Sequence, residues 1–138
     1  MNTLTFVPPN ELHDYWDLVK PGLEIVRQKS SDGWLCEDVY TELRAGRSTL
    51  HIGDVEGDYA GFVVLTPTQG YDSMRLFIWA AYNATDKDMI KEFLPELKSM
   101  AKKIKAKKLT FSSCRKGWDK RMAQYGFEPT FTRYDLEI

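Results

Sequence analysis

Long apolar runs are missing from this chain. Nowhere do its 138 residues approach the roughly 20 consecutive apolar residues of a membrane-spanning helix. The segment 1–10 has neither the basic start nor the apolar centre of a secretion signal. The expectation is a protein that touches no membrane and stays in the cytoplasm. Cysteine and histidine are scarce too. Cys36 and Cys114 lie far apart without a CxxC, and His13 and His51 belong to no ligand-spaced group, so two free thiols and no metal site are expected. What is present is an ordinary globular composition, 43% hydrophobic and 13% aromatic, sufficient for one domain over 1–138.

The net charge is only −1, but it is unevenly spread. Residues 1–60 hold eleven acids against five Lys and Arg, whereas 98–121 hold ten Lys and Arg against the single acid Asp119. The second stretch predicts a basic face attractive to phosphate-bearing partners. Acids elsewhere weaken long-range attraction, so nucleic acid is not an expected partner.

Periodicity sets the expected elements. Thr3–Val7 alternates and stops at Pro8-Pro9, which reads as a first strand. Asn10 is placed to cap a helix carrying Leu12, Tyr15, Trp16 and Val19, broken at Pro21-Gly22 and resumed by Leu23, Ile25 and Val26. Cys36–Ala45 predicts a further helix ending at Gly46. From Ser48 the period changes to two, and Glu56-Gly57-Asp58 supplies a turn before the apolar run Phe62–Leu65; Met74–Tyr82 continues as a third antiparallel strand.

Met89, Ile90, Phe93, Leu94, Leu97, Met100, Ala101 and Ile104 then mark an amphipathic helix, with a kink or break expected at Pro95. Lys108–Ser113 reads as a strand, Gly117–Tyr125 as a short helix closed by Gly126, and Phe127–Ile138 as a last strand. The sum is a mixed α/β (α+β) plan, order β-α-α-β-β-β-α-β-α-β, with about six mostly antiparallel strands flanked by helices.

That order resembles the GNAT superfamily, the Gcn5-related N-acetyltransferases, over the whole chain. Ala60-Gly61-Phe62-Val63-Val64 is similar to the family's third strand, and the run from Lys120 to Pro129, with its Gly126-Phe127, to its closing helix. Phe111-Ser112-Ser113-Cys114-Arg115-Lys116-Gly117-Trp118 also resembles small GNAT-like proteins of tailed phages. The first resemblance implies an acyl-CoA-dependent N-acyltransferase using acetyl-CoA. The second implies a non-catalytic, virion-associated or host-protein-binding module located in the host cytoplasm or the virion.

In that family the edge of the fourth strand pairs with pantetheine, which here implies Ile78, Trp79, Ala80 and Ala81. A loop Q/R-x-x-G-x-G/A then holds the pyrophosphate through backbone N–H groups, for which glycine and a helix N-terminus are suited. The matching stretch implies Asn83, Ala84, Thr85, Asp86 and Lys87, and it contains no glycine. Thr85 or Asp86 can instead cap the following helix, and Asp86 and Asp88 repel phosphate. The run Lys102-Lys103-Ile104-Lys105-Ala106-Lys107-Lys108 reads either as a site for the cofactor's 3′-phosphate or as a solvated helix face.

Catalytic candidates are few. The family's acid, a Tyr four residues before Gly-Phe, maps onto Met122, with Tyr125 standing next to Gly126 instead. Tyr82 and His51 on strands, and carboxylates near Asp38 and Glu42, are candidate bases. Ser112, Ser113 and Cys114 read as a polar nucleophile cluster or as a strand end. Tyr15, Trp16, Trp34, Tyr40, Trp79 and Trp118 either line a cleft or fill the core, and Trp118 beside Arg115 and Lys116 offers stacking with charge.

Overall fold

A computed structural model describes residues 2–113 and 117–138. Cys114, Arg115 and Lys116 lie outside the described residues, as does the side chain of Trp118. The elements are β1 (Asn2–Val7), α1 (Leu12–Gln28), α2 (Cys36–Arg44), β2 (Thr49–Val55), β3 (Asp58–Gln69), β4 (Met74–Asn83), α3 (Met89–Lys103), β5 (Lys108–Phe111) and α4 (Trp118–Ala123). Five strands form one sheet in the order β1-β2-β3-β4-β5, antiparallel except for the β4–β5 pair, which is parallel.

The β2–β3 connection is a two-residue turn. Glu56 and Gly57 both have positive φ, 53° and 87°, and Val55 faces Asp58 across the pair. Two left-handed residues give the twist that a tight hairpin requires.

Alternation along the strands divides the core in two. Leu50, Ile52, Phe62, Val64 and Ala80 face α1 and α2, meeting Leu12, Val19, Leu23, Val39 and Leu43. Val63, Leu65 and Leu76 face α3 through Leu97 and Ala101. Period-two strands between two amphipathic layers account for this arrangement.

The structure corrects several expectations. The helix containing Pro21 is continuous from Leu12 to Gln28. Pro21 forfeits one backbone bond, but Gly22 beside it lets α1 approach the sheet: a Cβ there would stand 2.5 Å from the Tyr82 ring. Asn10 is not its cap, since a 3₁₀ turn at Pro9–Glu11 comes first. Pro95 likewise interrupts nothing, and α3 runs unbroken past it.

A fourth correction concerns Phe127–Ile138. Among the described residues no strand forms there, and five strands stand where about six were expected. Alternation permits a strand but does not supply an edge to pair with. Phe131, Tyr134, Leu136 and Ile138 are left exposed.

Candidate functional site

Strands β4 and β5 separate partway along their length. Arg75–Ile78 pair with Lys108–Phe111, while β4 continues to Asn83 beyond the end of β5. A bulge lies at the point of separation. Val64 faces Ala80 and Leu65 faces Ile78, which leaves Trp79 as the extra residue on β4. Bulges bend a strand and re-aim its side chains, and here Trp79 meets Trp34 edge-on at 5.9 Å.

The predicted edge residues are therefore placed as follows. Ile78 still pairs with Phe111, Ala80 is buried, and Ala81 is exposed on the stretch that passes β5. Tyr82 packs its ring on Phe62 at 5.7 Å and lies over Gly22, so it serves the α1–β4 contact.

The loop after β4 is closed by its own side chains. The Asn83 carboxamide oxygen accepts the Thr85 backbone N–H and hydroxyl, both at 2.8 Å. Its amide donates to the Lys87 carbonyl at 2.7 Å, and the Thr85 hydroxyl accepts the Lys87 N–H at 3.1 Å. Ala84 donates its N–H to the Ala60 carbonyl. Asp86 and Lys87 are exposed.

Neither Thr85 nor Asp86 caps α3; that residue is Asp88. Its Oδ1 accepts the N–H groups of Ile90 at 3.2 Å and Lys91 at 3.3 Å. Its Oδ2 accepts the Tyr125 hydroxyl, and Arg121 stands 3.7 Å from Oδ1. The Tyr125 hydroxyl, then the helix N–H groups and the Arg121 charge, hold the Asp88 carboxyl below the usual carboxylate range. The same bond pushes the Tyr125 phenol up, so it remains protonated.

A phosphate at this helix start needs those first-turn donors. A carboxylate of the chain itself takes them, together with a hydroxyl and a cation that suit an anion. The acyl-CoA pyrophosphate does not fit this arrangement.

The remaining candidates are dispersed. Ser112 and Ser113 are exposed beyond the end of β5, and their neighbour Cys114 is outside the described residues. His51 is buried against Phe6 and bonded to the Thr49 hydroxyl at 2.9 Å, and burial pushes it down to about 4. Asp38 bonds the Leu35 N–H at the start of α2, and Glu42 forms a two-point pair with Arg47. Cys36 is a buried free thiol beside Glu24, pushed up to about 11. Among the described residues no group of His, Cys, Asp and Glu could hold a metal ion.

Sequence reasoning missed the link between Asp88 and Tyr125. The signal was an acid just before the helical stripe, but its partner is 37 residues away.

No family model matches the sequence, and no curated protein does. Solved structures match over nearly the whole length. A probable acetyltransferase gives a TM-score of 0.70 at 18% identity, covering 99% of this chain and 97% of that one. A ribosomal-protein-alanine N-acetyltransferase from Brucella melitensis biovar Abortus 2308 gives 0.70 at 16% identity, with full coverage of both chains. An aminoglycoside acetyltransferase from an uncultured soil metagenomic sample, in complex with sisomicin, gives 0.71 at 11%, covering 99% and 96%. Among the described residues no helix is long and apolar enough to cross a membrane. By its element order, its separated strands and these likenesses, the chain has the GNAT fold.

Proposed function

We propose that this chain uses the GNAT fold to bind a protein partner and does not transfer an acyl group from CoA. One observation carries the reading: the Asp88 carboxylate occupies the start of α3, tied to Tyr125 and Arg121. An anionic cofactor must displace an anion that already has four partners, from a loop that has no glycine for close backbone approach.

Isothermal titration with acetyl-CoA, with desulfo-CoA and Asp88→Ala in parallel, tests this directly. The expected outcome is no saturable heat for the native chain at millimolar cofactor. Micromolar binding by the native chain would overturn the proposal.

A second reading keeps the acyltransferase activity, favoured by the open β4 edge and the bulge at Trp79. It assigns pantetheine to Ile78–Ala81 and the cofactor's phosphates to the Asn83–Lys87 loop. Tyr82, Ser113 or Tyr125 would then serve an acceptor of unknown identity. Micromolar acetyl-CoA binding would favour it.

A further inference from the structure

A groove of about 380 Å³ runs between α1 and α2, lined by His13, Trp16, Asp17, Glu37, Tyr40 and Thr41. It is separate from the opening between β4 and β5. Gly22, which touches Tyr82, leaves α1 in a direction 180° from His13 at about 100° per residue.

Two of the lining residues are rings. Trp16 and Tyr40 meet edge-on at 4.8 Å and are packed against the core, so their orientation is set before anything binds. Two others are carboxylates, Asp17 and Glu37, and among the described residues no ion pair engages either. No lysine or arginine among the described residues lines the groove. His13 lies 3.2 Å from Asp14. Fixed aromatic rings beside two carboxylates attract a cation.

We propose that this groove is a binding site for a single cationic side chain, a lysine or arginine presented by a protein partner. The edge-on pair of Trp16 and Tyr40 receives the alkyl stem and the charge, and Asp17 and Glu37 complete its neutralisation. The proposal rests on the partner-binding reading above and gives that partner its chemistry: a basic segment.

The test is a nuclear magnetic resonance titration of the full chain with the capped peptide Gly-Lys-Gly, alongside versions carrying arginine, norleucine or glutamate in place of lysine. The Trp16 indole signal, identified with Trp16→Phe, is the readout. Saturable shifts with lysine and arginine are expected at roughly millimolar dissociation constants, as one cation–π contact and two exposed charges would give. The Asp17→Asn/Glu37→Gln variant, confirmed folded by its spectrum, should bind about tenfold more weakly. Equal shifts with norleucine, no shift at about 20 mM peptide, or unchanged binding by the variant would each overturn the proposal. Micromolar acetyl-CoA binding would overturn the function reading while leaving the indole shifts as they are, so the two failures are distinguishable.

Discussion

His51 shows how a single buried side chain ties stability to pH. It is 8% exposed, and its ring is held near a pKa of about 4 by burial, against about 6.5 in the unfolded chain. The unfolded state therefore binds the extra proton first. Stability is fully present above pH 6.5 and falls as pH drops towards 4, by an amount on the order of 3 kcal/mol. Urea midpoints between pH 7.5 and 4.5 should show this loss, and His51→Gln should flatten that part of the profile. In the sequence His51 is legible only as a strand residue and candidate base, because period-two alternation marks one covered face. It does not reveal that Phe6 of β1 lies against His51 while Leu50 and Ile52 turn the other way, into the core under α1 and α2.

Among the elements, α3 carries the most informative start. Asp88→Ala removes the acceptor for two helix N–H groups and should cost about 1 kcal/mol, as lost caps generally do. Tyr125→Phe keeps that cap and loses only the hydroxyl bond from just beyond α4, so its midpoint in thermal unfolding should lie between those of native protein and Asp88→Ala. The strands and the hairpin were legible because their signals are local: alternation, and Glu56-Gly57 at the turn. Pro21 and Pro95 misled for the opposite reason. A proline costs a helix about 3 kcal/mol in isolation, but each of these helices lies on a core face that repays more than one missing bond. The cap moved from Thr85 or Asp86 to Asp88 because Asn83 gathers Thr85 and Lys87 into a closed turn.

For the whole molecule, the end of the chain is the element the sequence described least well. Its apolar residues alternate, yet Tyr134, Leu136 and Ile138 are 90%, 88% and 121% exposed. Just ahead of these residues the Arg133 guanidinium donates to Asp32 at 2.7 Å. Deleting residues 134–138 should therefore shift the thermal midpoint by no more than about 2 °C, as expected for groups that bury little surface. A larger fall would show that the tail pairs with the sheet in solution. Alternation could not reveal this, since it records which faces could be buried and not whether a neighbour is there to bury them.

The turn from α3 into β5 has a colloidal consequence. Lys102, Lys103, Lys105, Lys107 and Lys108 are all exposed around the start of a four-residue strand on the outside of the sheet. Such an edge invites a strand from another copy, and like charge concentrated there makes the approach unfavourable. This repulsion is screened by salt, so ionic strength, more than protein concentration alone, governs how readily two copies meet along that edge.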